Sequence, residues 1–276
     1  MEFLSAKENL TGKLNSMVYS APGAGKTLFL LQHPWPVIVD PGEQGYMTIL
    51  EMGFDVPVIQ VASRDDLEEV VYYPDDVMAK LKEAQPKFKD YPYATFGFEN
   101  MNLIQEAMLG EGSKTDPNTK KVTKPATGIM SLPHTREHSG TPSPKDFNVL
   151  QRATKGFFKG VRNMPYNTVM TVHAGLSETE ESPKGIDVPA SQKSYAGYPD
   201  MYGQMKYKSG GLADFYFYLK RVKRGGKLVY LAYTERVGKY EGRSKIASHL
   251  PGEIDWSNKN LFDIVQGYLT AALEGK

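Results

Sequence analysis

Tyr19-Ser20-Ala21-Pro22-Gly23-Ala24-Gly25-Lys26-Thr27 joins the apolar run Met17-Val18-Tyr19 to a second apolar run, Leu28-Phe29-Leu30-Leu31. A strand that ends in a glycine-rich turn and feeds straight into a helix is the frame of a phosphate-binding loop. Gly23 and Gly25 free the turn from Cβ clashes, so its N–H groups can converge on an anion. On this reading Pro22, Gly23, Ala24 and Gly25 wrap a nucleotide's phosphates, and Lys26 brings a mobile cation to the β- and γ-phosphates. Thr27 offers a hydroxyl to Mg²⁺, and the helix starting near Lys26 turns its positive end to the same anion. Ser20 stands where the pattern G-x-x-x-x-G-K-[ST] has its first glycine. The competing reading is an ordinary glycine-rich strand-to-helix turn.

The chain has 276 residues, 40% of them hydrophobic, enough for one α/β domain spanning 1–276 with insertions. A net charge of +1 excludes a strongly basic surface overall, so nucleic-acid binding would need a local patch. Cysteine is absent, which excludes disulfides and thiolate zinc sites and fits a reducing interior. Met1 to Leu10 has neither the basic lead nor the apolar core of a signal peptide, and no apolar run nears the ~20 residues of a membrane span. A soluble, cytoplasmic protein with no membrane partner is therefore expected.

Outward from the loop, His33-Pro34-Trp35-Pro36 should stop the first helix near Gln32, because each proline lacks a donor and restricts its predecessor. Val37-Ile38-Val39, closed by Asp40, reads as a fully buried parallel strand. The strand, loop, helix, strand unit opens a doubly wound sheet, with ligands at the carboxyl ends of its strands. Glu43 lies on the loop after Asp40 and is either a base that orients attacking water or a turn carboxylate. Val56 to Val61 is a third strand, Arg64 to Val71 a helix, and Asp75-Asp76 should cap the next, Val77 to Ala84. Tyr93 to Phe98 is β-prone, is interrupted by Gly97 and ends at Glu99, ahead of a helix with Met101, Ile104, Ala107 and Met108 on one face. Glu99 either reaches the metal through water or is a helix-start carboxylate favoured by the dipole.

Gly110 to Pro144 is long, rich in Gly, Ser, Thr, Pro and Lys, and without apolar period, which marks a functional or mobile loop. Its His134 and His138 lack a helical context, so no metal site is expected there. Lys145 to Arg162 reads as a long helix. Thr168 to Val172 is a buried strand ending at His173, which is either a γ-phosphate sensor or a hydrogen-bonded strand-end histidine.

Gly175 to Ala213 is a second long irregular stretch in which lysines and tyrosines interleave: Lys193, Tyr195, Lys206, Tyr207, Lys208. Stacking rings alternating with cations suit a single-stranded DNA groove, and tyrosines of this kind also pack on their own domain. Asp214 to Val222 and Leu228 to Thr234 form a hairpin through Gly225-Gly226. Lys239 and Arg243 follow, either reaching a neighbouring subunit's phosphates or lying in a solvated turn. Leu261 to Leu273 closes the chain as an amphipathic helix.

Taken in this order, Ser20–Thr27, Val37–Gly45, Tyr93–Glu99, Val169–His173, Tyr198–Asp214 and the pair Lys239 and Arg243 resemble the phage-type RecA-like P-loop ATPases, AAA-like proteins of phage recombination modules. The resemblance runs from about Leu14 to Arg243, and only the nucleotide loop is specific on its own. It implies a RecA-like α/β fold with a mostly parallel sheet, ATP hydrolysis with ATP and Mg²⁺ as cofactors, single-stranded DNA as partner, and work beside a single-strand-binding protein or annealase in a phage-infected or prophage-bearing bacterial cell. It also implies a homo-oligomer in which Lys239 or Arg243 completes the next subunit's site. Ser20, Glu99 in place of an Asp, and Glu43 one residue later than the family's acid depart from the pattern. An ångström of misplacement costs ~10²-fold in rate, so slow turnover is expected. Two other functions fit the same loop: a nucleotide-gated protein-binding module and a P-loop phosphotransferase with residues 110–144 as its lid.

Overall fold

A computed structural model of the chain describes residues 13–42, 46–91, 94–110, 114–115, 122–124, 128–131, 144–176, 195–202 and 205–274. Glu43, Lys193, His134 and His138 lie outside the described residues, and of Tyr195 only the backbone is described. Asn15–Ser20 (β1), Lys26–Leu31 (α1) and Pro36–Asp40 (β2) form the strand, loop, helix, strand unit that the sequence predicts. Tyr46–Glu51 (α2), Val58–Gln60 (β3), Arg64–Tyr72 (α3) and Pro74–Ala84 (α4) follow. Thr95–Phe98 (β4), Met101–Leu109 (α5), the ribbon Lys114–Thr115 (β5) and Val122–Lys124 (β6), and Pro144–Asn163 (α6) make the middle of the chain. Asn167–Leu176 (β7), Tyr195–Pro199 (β8) and Met205–Lys208 (α7) lead to the hairpin Phe215–Arg224 (β9) and Lys227–Tyr233 (β10). Arg243–Ser244 (β11), Glu253–Asp255 (β12) and Leu261–Glu274 (α8) complete it.

The main sheet runs β12-β10-β9-β1-β7-β4-β2-β3, with β11 also on β9 and β8 also on β7. From β9 through β1, β7, β4 and β2 to β3 every pairing is parallel, while β10, β12 and β11 add antiparallel edges. The fold class expected from the sequence, a mixed α/β fold with a mostly parallel central sheet, helices and a C-terminal hairpin, is the one observed. Parallel strands bring their carboxyl ends to one edge, and there Ser20 pairs with His173 while Glu99 follows β4.

Both faces of this sheet are covered, which is why its strands read as continuous apolar runs. Met17 and Tyr19 of β1, Val37 and Val39 of β2 and Tyr216 and Tyr218 of β9 enter one core with residues of α3, α4, α5 and α6. Val18, Ile38, Phe217 and Leu219, one residue out of phase, enter the other with α1, α8 and Trp256. Full burial of such side chains stabilises by about 1.5–3 kcal/mol each.

Several elements differ from expectation, each for a local reason. The pair Asp75-Asp76 lies inside the first turn of α4 rather than capping it; Pro74 is its first residue, with Tyr73 at the cap. The third strand is shorter, only Val58–Gln60. Within 110–144, β5 pairs with β6 and Ile129, in a 3₁₀ turn at Gly128–Ser131, is 1% exposed. The 175–213 stretch is less irregular than its composition suggests, because β8 pairs with the extension of β7 past His173. Gly97 does not interrupt β4. A Cβ there would stand 2.3 Å from the Leu30 methyls, so the glycine is what lets α1 lie against the sheet. The hairpin turn forms at Gly225 and Gly226, at φ 56° and 79°, as a two-residue type I′ loop requires. Among the described residues no helix is long and apolar enough to cross a membrane.

Two stability predictions follow from α1. Gly97→Ala should destabilise by about 1–3 kcal/mol through overpacking against Leu30, and by less in a Leu30→Ala background, as urea unfolding of the single and double variants would read. His33, at the end of α1, donates from Nδ1 to the carbonyl of Phe29 (2.9 Å), while its buried Nε2 has no partner. Protonating Nε2 would bury a charge between Phe29 and Phe262, so burial holds its pKa down at about 4 against an ordinary 6.5. The unfolded chain therefore takes the proton first as pH falls. This contribution is complete above pH 6.5 and is lost between 6.5 and 4, by about 3 kcal/mol in all. Unfolding free energies from pH 7 to 4 should fall less steeply in His33→Phe; equal slopes would refute the assignment.

Candidate functional site

β1 is the buried centre of the sheet, and its last residue, Ser20, is the last place a regular strand can continue. The chain then turns through Gly23 at φ 71° and Gly25 at φ 98°, left-handed conformations that residues with a Cβ avoid. Gly25 is also crowded: a Cβ would meet the Trp256 ring at 2.9 Å. The α1 helix has six residues, so the anion-holding capacity lies mainly in the loop amides rather than in a helix dipole.

Lys26 is 7% exposed and folds back over the loop. Its ammonium lies 3.4 Å from the Ser20 carbonyl, 3.3 Å from Ser20 Oγ, 3.4 Å from the Ala21 carbonyl and 3.2 Å from Nδ1 of His173. An ammonium only donates, so Nδ1 of His173 accepts and the histidine proton sits on Nε2. These contacts are long, so a phosphate oxygen can replace them at little cost. Expected sensor and expected phosphate ligand are thus in direct contact.

At the far end of the loop Thr27 Oγ1 donates to Glu99 Oε1 over 2.5 Å. Glu99 is 8% exposed, so it is a buried carboxylate on the loop's side of β4 rather than a solvated one. Among the described residues no cluster of three or more His, Cys, Asp or Glu could hold a metal by itself. The Thr27 and Glu99 oxygens suit Mg²⁺, which commonly takes one carboxylate and completes its shell with phosphate and water. Asp40, 3% exposed at the end of β2, accepts from the Gly42 amide (2.8 Å) and so shapes the turn that leads to Glu43.

Lys26, Thr27, Glu99 and His173 line one cavity of about 360 Å³ with Pro22, Gly23, Gly25, Thr171 and Asn100. Asn100 escaped the sequence reading, as did further lining residues: Thr48 on α2, Met52 just after it, Arg221 on β9 and Tyr230 on β10. For Arg221 a signal existed. Counting by twos from Phe217 and Leu219 puts it on the α1 face of the sheet, opposite Tyr230.

The other expected residues gather elsewhere. The Lys206 ammonium sits 5.0 Å from the rings of both Tyr198 and Tyr207, and Tyr207 is 65% exposed. Lys208 is exposed on the same short helix. Lys239 and Lys220 flank the Tyr240 ring at 5.5 and 5.7 Å. The two groups meet where Gly197, beside Tyr198, packs on the Lys239 backbone so tightly that no Cβ would fit. Arg243, on β11, approaches Gly211 instead. Neither Lys239 nor Arg243 lines the cavity of its own chain.

Tyr19 ties this surface to the loop. Its hydroxyl shares its proton between the Gly197 and Glu241 carbonyls (2.9 and 3.0 Å) and accepts from the Glu241 amide. Burial pushes the phenol well above its ordinary range, so it stays neutral.

No known protein-family profile matches the chain, and no curated protein matches it. Among solved structures it is similar to the crystal structure of a KaiC-like protein from the hyperthermophilic archaeon Pyrococcus horikoshii OT3, at 12% identity over 80% of this chain and 77% of that one, with a TM-score of 0.38.

Proposed function

We propose that the protein is a RecA-like P-loop ATPase that couples nucleotide occupancy to single-stranded DNA binding, in the manner of the phage recombination ATPases its motifs resemble. The observation that carries this is the pairing at the two ends of one loop: Lys26 on His173, and Thr27 on the buried Glu99. Lys26 and the loop amides hold the phosphates, and Thr27 and Glu99 would hold Mg²⁺, which would supply positive charge against that of the phosphates. His173 exchanges its contact with Lys26 for one with phosphate.

From that point two hydrogen-bonded routes reach the lysine and tyrosine surface. The His173 carbonyl accepts from the Asp200 amide (2.7 Å), directly after β8, which carries Tyr198. The helix after Glu99 reaches the same turn: Asn102 Nδ2 donates to Asp200 Oδ2 (3.0 Å), and Gln105 Oε1 accepts from the Tyr202 amide (2.9 Å). Bases stack on Tyr207 and Tyr198 while Lys206, Lys208 and Lys239 meet phosphates. Lys239 therefore serves DNA in this reading, and Arg243 remains the candidate for completing a neighbour's site in a homo-oligomer. A single-strand-binding protein or annealase would act on the same DNA.

Steady-state ATP hydrolysis with and without single-stranded DNA tests the reading. Turnover should rise with DNA and fall by about 10²-fold or more in Lys26→Ala and Glu99→Gln. Tyr207→Ala with Lys206→Ala should leave basal turnover unchanged and abolish the stimulation. Tight ATP binding with no turnover under any condition would reject hydrolysis and leave a nucleotide-gated binding module.

A further inference from the structure

The cavity contains a strong cation that the phosphate-loop chemistry leaves unused. Both terminal nitrogens and the central carbon of the Arg221 guanidinium stand 3.6–3.8 Å from the place a Cβ would take on Gly23. The group therefore lies against the open face of the loop, three residues before Lys26. We propose that Arg221 is a ligand of the nucleotide's terminal phosphate, supplied by the same chain, and that it makes the site prefer a triphosphate to a diphosphate.

Three observations carry this. The first is placement. β9 is paired to β1 along Phe215–Tyr218 and to β10 along Tyr218–Arg224, with Arg221 directly opposite Tyr230. Arg221 thus stands on a strand that is held by β1 up to Tyr218 and by β10 at Arg221 itself, and strand parity fixes the face of the sheet, the one with the loop, from which it projects. The second is charge. Arg221 makes no ion pair among the described residues, although arginines elsewhere do: Arg224 pairs with Glu253 at 3.2 Å and Arg162 with Asp214 at 3.1 Å. The third is the company it keeps. Among the described residues that line the cavity, Lys26 and Arg221 outnumber the one carboxylate, Glu99, an excess of positive charge that suits an anion.

Lys26 approaches the phosphates from inside the loop and Arg221 from outside, over Gly23. An anion held between them gains most from its most charged and most exposed member, the terminal phosphate. A guanidinium can bind two of its oxygens at once, which a lysine cannot.

The inference rests on the nucleotide reading proposed above, and calorimetric titration separates the two. Wild type, Arg221→Ala and Arg221→Lys are titrated with a non-hydrolysable ATP analogue and with ADP, each with Mg²⁺. Arg221 is exposed, and the unfolding midpoint of each variant checks that the fold is kept. The expected result is a loss of about 10-fold or more in triphosphate affinity in Arg221→Ala, an intermediate loss in Arg221→Lys, and ADP affinity within twofold of wild type. Equal weakening of both nucleotides would overturn the proposal by placing the guanidinium on the inner phosphates or the base. Unchanged affinities would overturn it as well, with the nucleotide reading intact. Failure of the wild type to bind either nucleotide would overturn both. Turnover restored by mixing Arg221→Ala with Lys26→Ala protein would show that the arginine acts on a neighbour and would overturn the same-chain assignment.

Discussion

Leu30 rests on Gly97 with no room for a methyl group between helix and sheet, and the rest of the site depends on that approach. A six-residue helix has little stability of its own, so its position is set by what it packs on. Phe29, Leu30 and Leu31 are buried on the sheet and against α8, which fixes the start of the helix as firmly as its middle. Lys26 and Thr27 are thereby held at the carboxyl edge within reach of β7 and β4. Any residue larger than glycine at position 97 would lift α1 and lengthen the Thr27 to Glu99 contact before any catalytic group was altered. Packing of an apolar helix and geometry of a polar site are one constraint here, because close-packed interiors transmit small displacements rather than absorb them.

The same economy explains why the lysine and tyrosine surface stands where it does. Tyr19, one residue before the loop, is buried and neutral, and its hydroxyl joins the backbones of Gly197 and Glu241. Tyr19 also stacks on Tyr216, and Tyr218 stacks on Tyr240 at 3.9 Å. These tyrosines, outside the 175–213 stretch, serve as core with a polar tip, while Tyr207 within that stretch stays on the surface. The two uses of tyrosine are contiguous, so the surface that carries Lys206 and Lys239 is anchored to the strand that leads into the glycine-rich loop.

Much of this was legible in the sequence, and the reasons for the gaps are specific. The loop, β2, α5, α6, the hairpin and α8 carry local signals: glycines where φ is positive, continuous apolar runs where both faces are covered, a helical period where one is. Tyr195–Pro199 carried none, since its Gly and Pro argue against a strand, and its extended form comes from pairing with β7. His173 read as a strand end because the apolar run stops there, yet that same pairing carries β7 on to Leu176. Gly97 read as an interruption because a Leu30 contact 67 positions away in sequence is invisible to local pattern. Lys26, Thr27, Glu99 and His173 could be singled out because apolar runs of the sequence stop or start beside them, and the structure brings all four to one cavity. Arg221 was missed although parity groups it with Phe217 and Leu219, because which face of β9 meets the loop depends on its pairing with β1, a tertiary fact.

β9 shows how far strand parity alone can organise such a protein. Phe217, Leu219 and Arg221 face α1 and the loop, whereas Tyr216, Tyr218 and Lys220 face Tyr19 and Tyr240. Adjacent residues Lys220 and Arg221 consequently serve opposite faces of one sheet, the first beside the lysine and tyrosine surface, the second beside the phosphate loop. A change of register by one residue would exchange them and put lysine on the loop and arginine on the tyrosines. That register is held by parallel pairing to β1 from Ser16 to Tyr19, the segment whose next residue opens the loop. The strand that leads into the glycine-rich loop therefore also determines which cation of β9 reaches that loop.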